Sequence, residues 1–474
     1  MTPMTPPGYG GGQISSYVTP VIVHGTMFVL LLTCAAQATT QFMSLKLHQV
    51  DFIYGLFYMP LEWPWMFVLW VFEYWHQKPQ VVFDGVAFFA AFSSLLLSFY
   101  GFIVFLMRRR MVAMRGLHGS SRWASWRDIQ NAGLLPKNNA RHEGVYVGSW
   151  EDGRGNVHYL RHDGPEHVLA LAPTRSGKGV GLVIPTLLSW KGSVLCYDMK
   201  GENWALTSGW RHIHARNRVF RFEPASEDSV RFNPLQEIRV RTSHEVADAQ
   251  NIAVMLVDPE GRGMLDHWSK TSYALLTGLI LHCVYAMPKE HDRPANLADL
   301  GQVLSHPDRT IYQTLEMMRT FPHLEHGPHL VVAHEARAML NKDERELSSV
   351  VSSAMSFLSL YRDPIVASNV TISDFSIDDL MNDDCPVSLY LVVRPPDQDR
   401  VRPLLRLIVT QIIKRLTDGG AEFAQGQNQA HRHRLLLMLD EFPNLKRLTV
   451  MEEALAFMAA YGIKAYIVVQ DLQQ

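Results

Sequence analysis

Two kinds of apolar pattern divide the chain. Residues Met1 to Leu45 carry no Asp, Glu, Lys or Arg, and Val18 to Ala38 is long and apolar enough to cross a bilayer as one helix. Ala36-Gln37-Ala38 has the form of a leader cleavage site, but no basic stretch precedes the apolar run, which favours a retained helix. Val86 to Met107 gives a second run of 22 uncharged residues, followed at once by Arg108-Arg109-Arg110 and then Arg115. Basic residues beside a crossing resist export, so this end is expected on the cytoplasmic side. Two crossings then put both termini in the cytoplasm, with a loop of roughly 45 residues outside. Within that loop Trp63 to Phe72 is too short to span and rich in tryptophan, and reads as an interfacial or re-entrant segment.

After the second crossing the pattern changes. Residues 111–160 have mixed polarity, with turn signals at Asn138-Asn139 and Asp152-Gly153, and read as a linker and lead-in element. Short apolar, β-branched runs then recur near Val168, Val194, Leu389, Leu435 and Ala465, alternating with helical patterns, as in an α/β fold with a parallel sheet. Between the second and third of these runs the pattern is helical. Thr242-x-x-Glu245 reads as a capping box, Trp268 to Ala286 as an amphipathic or buried helix, and Leu330 to Leu340 and Leu347 to Tyr361 as further helices. The expected organisation is a transmembrane anchor over 1–110, a sheet domain over 161–241 and 381–474, and an all-α insertion over 242–380.

Composition changes this picture little. A chain of 474 residues with 47% hydrophobic residues can hold two to four domains plus membrane segments. The net charge of −2 gives no bulk argument for nucleic-acid binding, so any DNA contact needs a local basic lining. Cys34, Cys196, Cys283 and Cys385 lie far apart without C-x-x-C spacing and read as reduced thiols. His323, His326, His329 and His334 fit no zinc spacing and are expected in a solvated loop, and His431 to Arg434 reads as a polar approach to a buried strand.

The chemistry concentrates in two places. Val168 to Leu171 is an apolar run followed by Thr174-Arg175-Ser176-Gly177-Lys178-Gly179 and an apolar stretch that can continue as a helix. A phosphate needs inward backbone N–H groups and a helix N-terminus, which small residues permit, so this strand, loop and helix reads as a P-loop. Ala172 stands at its usual first glycine and Gly179 where a hydroxyl would ligate Mg²⁺. Further on, Leu435 to Leu439 is an apolar run ending in Asp440-Glu441, a Walker B pattern. Lys178 is then expected to hold the β- and γ-phosphates of ATP, Asp440 the Mg²⁺, and Glu441 the attacking water. Asp198, Lys200 and Glu202 end the second strand at the same carboxyl edge, as a structural ion pair or a direct ligand contact.

The blocks Ala172 to Trp204, Arg231 to Leu235, Leu347 to Asn369, Pro386 to Ile408 and Leu435 to Leu445, with Leu117 to Ala124, resemble the TraG-type (TraG/TraD) coupling proteins of conjugation and type IV secretion. The resemblance runs from about Arg108 to the last residue, and the Ala172 and Gly179 departures are tolerated in that family. It implies a RecA-like ATPase in the bacterial inner membrane, a homo-hexamer whose sites are completed by a neighbour's arginine. Its implied partners are a relaxosome or secreted protein, single-stranded DNA and the secretion channel, with the all-α domain meeting the substrate complex. Gln470 matches the family's γ-phosphate sensor. An FtsK-like DNA translocase and a non-hydrolysing membrane receptor are the other readings. TraG-type proteins usually continue beyond the strand before Gln470, so a truncated or split form with weak hydrolysis and an exposed apolar edge is expected.

Overall fold

In a computed structural model, which describes residues 13–49, 62–114, 123–135, 144–173, 175–418 and 431–471, the uncharged N-terminal run forms one helix, Gln13–Leu47. The second apolar run lies inside the helix Pro79–Met114, and the tryptophan-rich segment forms the nine-residue helix Met66–Tyr74. The chain divides into two compact units, Met1–Trp123 and Ala124–Gln474.

In the first unit the two long helices run antiparallel, as shown by contacts at both ends. His24 Nδ1 lies 2.6 Å from Tyr100 Oη, and Lys46 pairs with Asp84 at 2.5 Å. Phe42 and Phe88 stack with ring centroids 4.6 Å apart. The helices approach closely at Gly85, where a Cβ would displace the Met43 side chain. The short helix is pinned by Thr40, whose Oγ1 donates to Pro64 O (2.8 Å) and accepts from the Phe67 N–H (3.2 Å).

Among the described residues three helices are long and apolar enough to cross a membrane: Val23–Leu47, Pro79–Met107 and His267–His291. Their surroundings separate them. None of the apolar window of Pro79–Met107 is buried, and Leu95, Phe99 and Phe102 face outward, whereas 78% of the window of His267–His291 is buried within the second unit. A soluble protein does not leave so continuous an apolar surface in water.

The second unit is organised on a six-stranded parallel sheet. With β1 (Val145–Glu151), β2 (Val157–His162), β3 (Val168–Leu171), β4 (Ser193–Asp198), β5 (Arg218–Phe222), β6 (Val387–Val392), β7 (Leu435–Leu439) and β8 (Ile463–Val469), the order is β3-β8-β7-β4-β6-β5. The continuous apolar runs follow from this layering, because successive side chains enter different cores. Val194, Cys196, Leu436, Met438, Tyr466 and Val468 pack on one face with Val183, Leu187 and Trp190. Leu195, Tyr197, Leu389, Leu437 and Ile467 pack on the other, in a core continuous with the helices Glu245–Val257, His267–His291 and Gln398–Leu416. β3 is an outer strand among the described residues, with Leu169 and Leu171 56% and 47% exposed.

Two expectations need correction, those for Thr242 and for the histidines, and the lead-in element takes a definite form. The lead-in contains an antiparallel hairpin, β1–β2, turning at Asp152-Gly153. It is sewn to the sheet by the Tyr466 hydroxyl on Tyr146 O (2.8 Å) and by the Tyr146 N–H on Thr186 Oγ1 (2.9 Å). Those partners are tens to hundreds of residues away, so the local pattern does not reveal them. Thr242 does not cap a helix: the helix begins at Glu245, and Thr242 Oγ1 accepts from the His244 N–H while Glu245 accepts from the Arg241 N–H. His323 and His329 are not solvated but buried at 1% and 6% exposure. His282 Nδ1 meets His323 Nε2 at 2.9 Å, and His329 Nε2 meets Glu245 Oε1 at 3.1 Å. Burial pushes His282 down to about 3 and His323 to about 4, so both are neutral at ordinary pH.

The face carrying the phosphate-loop helix is held by a buried cation. Arg211, on the helix Glu202–Ile213, is 0% exposed and has no carboxylate partner among the described residues. Its guanidinium donates to Leu187 O, Trp190 O, Gly192 O, Ser388 Oγ and Asn217 Oδ1 at 2.6–2.7 Å. Two of those carbonyls, Leu187 O and Trp190 O, lie at the C-terminal end of the helix Ile184–Ser189, where carbonyls run out of intrahelical donors. Burial lowers the guanidinium to about 10, still charged at pH 7. Arg211→Met should cost about 3–5 kcal/mol by stranding these acceptors. The measurement is the urea midpoint of the purified chain, and a shift below about 1 kcal/mol would show that the carbonyls find other donors.

Candidate functional site

The site forms where three adjacent strands end, because parallel pairing brings the carboxyl ends of β3, β8 and β7 to one edge. After β3 the backbone turns back through Arg175 (φ 61°) and Gly177 (φ 84°), the latter a conformation that favours glycine. Lys178 then leads into a wide turn over Gly179–Val183, closed at its start by the Gly181 N–H on Gly177 O (2.7 Å), and the helix Ile184–Ser189 follows. A Cβ at Gly177 or Gly179 would meet nothing within 4 Å. The loop is therefore open toward solvent. Thr174 lies outside the described residues. Arg175 and Ser176 are exposed on the loop.

Lys178, Glu441 and Gln470 are brought into direct contact. Lys178 Nζ donates to Glu441 Oε1 at 2.9 Å, and Gln470 Nε2 donates to Glu441 Oε2 at 2.7 Å. Burial raises the Glu441 carboxyl, but the bonds from Lys178 and Gln470 outweigh it and hold the group below the ordinary glutamate range. Glu441 itself sits in the left-handed region, at φ 61° and ψ 45°, so the chain is bent sharply to aim this side chain.

Asp440, beside it, has a different environment. Its Oδ2 accepts a long bond from Asn203 Nδ2 (3.4 Å), while its Oδ1 is buried without a hydrogen-bond partner. Burial raises its pKa above the usual carboxylate value. An orphaned, desolvated carboxylate oxygen on the loop edge fits a hard divalent cation, and Mg²⁺ takes few protein ligands and keeps its waters. The site has that donor and lacks a hydroxyl at Gly179.

Asp198 forms no ion pair among the described residues, and its oxygens are engaged by the following turn. It accepts the N–H groups of Gly201 (2.9 Å), Trp204 (2.8 Å) and Lys200 (3.3 Å), and so shapes the turn into the helix Glu202–Ile213. Burial still raises it, against those bonds. Lys200 and Glu202 are exposed at the same edge. Asn203, which reaches Asp440, escapes sequence reasoning, since an asparagine in the first turn of a helix carries no signal of what it faces. The same holds for Arg402 and Arg406, which grip the loop behind Glu441.

With this geometry in place, residues 122–474 match the family model for type IV secretory system conjugative DNA transfer. The chain is 48% identical over 429 residues to a conjugal transfer protein TraG of Escherichia coli, covering 87% of this chain and 66% of that protein. It is 30% identical over 409 residues to protein VirD4 of Agrobacterium fabrum, covering 85% of this chain and 57% of the other. The chain thus spans about two thirds or less of the length of these relatives. Among solved structures, the bacterial conjugative coupling protein TrwB in complex with sulphate aligns with a TM-score of 0.51 at 19% identity, over 74% of this chain and 72% of that one. TrwB in complex with ADP and Mg²⁺ aligns with a TM-score of 0.50 over the same shares. At that identity the likeness is one of fold. A parallel sheet with a phosphate-type loop and an acidic pair at its carboxyl edge, carried by a chain matched over residues 122–474, places this protein in the type IV secretory conjugative DNA transfer family.

Proposed function

We propose that the chain is a membrane-anchored, RecA-like ATPase that recruits DNA–protein or protein substrates and drives them into a type IV secretion channel, as the names of its relatives suggest. The observation that carries this reading is the Lys178–Glu441–Gln470 cluster beside the orphaned oxygen of Asp440. Bound MgATP, which the TrwB complex with ADP and Mg²⁺ makes the natural ligand to test, supplies the phosphoryl group to be cleaved. Lys178 leaves Glu441 for the phosphates, supported by backbone N–H groups over Thr174 to Gly179. One carboxylate oxygen of Glu441 is thereby freed, and its basicity rises as the ammonium departs. That oxygen is placed to take a proton from water, while Gln470 keeps the other oxygen and with it the carboxylate's orientation. Asp440 holds the cation.

The helices Gln13–Leu47 and Pro79–Met114 serve as the two inner-membrane crossings, with the second followed by Arg115. The helical stretch over 242–380 is the recognition part, since it contributes none of the phosphate or metal residues. The working form is a ring of six copies.

Lys178→Ala should abolish binding of a fluorescent ATP analogue and substrate transfer while leaving the thermal midpoint and membrane insertion unchanged. Wild-type turnover in that variant would refute the phosphate assignment. Asp440→Asn should leave metal-free nucleotide binding in place and reduce Mg²⁺-dependent turnover by roughly two orders of magnitude or more, as expected for loss of a group worth several kcal/mol. Turnover at the wild-type level over a Mg²⁺ titration would remove Asp440 from the metal site. Reporter fusions at Pro60 and Lys137 should report outside and inside respectively, and the reverse pattern would overturn the topology.

A further inference from the structure

The segment that follows Glu441 is bent at both ends. Glu441 has φ 61° and Lys446 has φ 58° with ψ −164°, and neither is glycine. The second of these is a region otherwise occupied almost solely by glycine, and each such residue costs about 1–3 kcal/mol unless the surroundings impose it. Between them Phe442–Leu445 makes one tight turn, with the Asn444 N–H on Glu441 O and the Lys446 N–H on Pro443 O, both at 3.0 Å. The segment thus stores strain next to the carboxylate that meets Lys178 and Gln470.

What imposes the bend comes from the helix Gln398–Leu416. Arg402 and Arg406, one turn apart on it, both point at this segment. Arg402 Nε donates to Asn444 O at 2.8 Å. Arg406 is 2% exposed, and its guanidinium donates to Leu445 O, to Arg447 O and to Pro259 O. Pro259 belongs to the loop after the helix Glu245–Val257, and that loop fits closely against Thr449, where a Cβ on Gly261 would come within 2.8 Å of Thr449 Cγ2. Arg406 forms no ion pair among the described residues, and burial lowers its guanidinium. This buried cation therefore ties the segment after Glu441 to the loop at Pro259 through three main-chain carbonyls.

We propose that Arg406 is a positioning residue for Glu441, holding the bent segment 441–447 to the helical layer at Pro259 and so setting the angle at which the Glu441 carboxylate enters the nucleotide site. The proposal rests on the nucleotide reading above and adds a residue that touches neither phosphate nor metal. Without the clamp the two strained residues relax toward ordinary backbone angles, and the carboxylate swings away from the water it should hold. A displacement near 1 Å at such a group costs about 100-fold in rate. The helical layer, through Pro259, gains a grip on turnover without reaching the site.

The test compares the full chain in detergent with Arg406→Lys, Arg406→Met and Arg402→Ala, measuring affinity for a fluorescent ATP analogue, KM, kcat and thermal midpoint. Arg406→Lys and Arg406→Met should keep affinity within about twofold and lose about 10- to 100-fold in kcat, and Arg402→Ala should move the same way by less. A mere brace would lower the midpoint and reduce apparent kcat only in proportion to the folded fraction, with KM and affinity unchanged, so kcat is taken per folded molecule, and a loss that vanishes on that correction overturns the proposal. Unchanged kcat in the folded variants overturns it as well. Should both Arg406 variants fail to fold, the half-buried Arg402→Ala decides alone: wild-type kcat there ends the proposal. A wild-type chain without nucleotide affinity refutes instead the reading of the site, and the two failures are told apart by the wild-type lane.

Discussion

One carboxylate joins the three strand ends that make the site. Glu441 follows β7, Lys178 follows β3 and Gln470 follows β8, and their mutual bonds close a gap of 263 residues on one side and 29 on the other. Parallel pairing makes this possible, because it delivers every carboxyl end to the same edge at a spacing of about 4.8 Å between strands. The loop around Lys178 is itself open, so its lysine is fixed by Glu441 and the neighbouring strands.

Much of this was legible in the chain. The runs at Val194, Leu389, Leu435 and Ala465 are buried on both faces, and a strand buried on both faces has to be apolar throughout. Lys178, Asp440 and Glu441 stand out in the chain because a phosphate and Mg²⁺ site calls for such residue types at strand ends, and Gln470 stands out through the family resemblance; the fold brings Lys178, Glu441 and Gln470 together. Elements whose reason is distant were not. β5, Arg-Val-Phe-Arg-Phe, is only partly covered along an outer edge and lacks a continuous apolar run. β1 and β2 depend on Tyr466 and Thr186. Asp198 reads from its place at a strand end as half of an ion pair or a ligand contact, and that place does not reveal that its oxygens accept the next turn's own N–H groups. His323 and His329 sit among proline and glycine, the usual marks of solvent, and are buried by partners on other helices.

Buried cations on main-chain carbonyls recur through the second unit. Arg211 gathers the end of the phosphate-loop helix, Arg406 the segment behind Glu441, and Lys464 the turn before β3. Lys464 is 1% exposed and donates to His162 Nδ1, Gly164 O and Glu166 O at 2.6–2.8 Å, and burial lowers it to about 8. Carbonyls at turns and helix ends are the groups a crowded α/β edge most easily strands, and long cationic side chains satisfy several at once where a neutral amide satisfies two. The cost is that each such residue, once removed, leaves several acceptors without a donor.

The placement of β3 has a consequence for how the protein comes into being. Among the described residues Val168 to Leu171 pair in the sheet with Tyr466 to Val469 alone, roughly 300 residues later. A ribosome adding about 5–20 residues per second has made the phosphate loop some 15–60 s before it makes the strand that anchors it. During that interval the emerging chain carries Lys178 but neither Glu441 nor Gln470 to hold it. The two apolar helices of the first unit are complete long before, so the cluster at the sheet edge closes only after both have been synthesised.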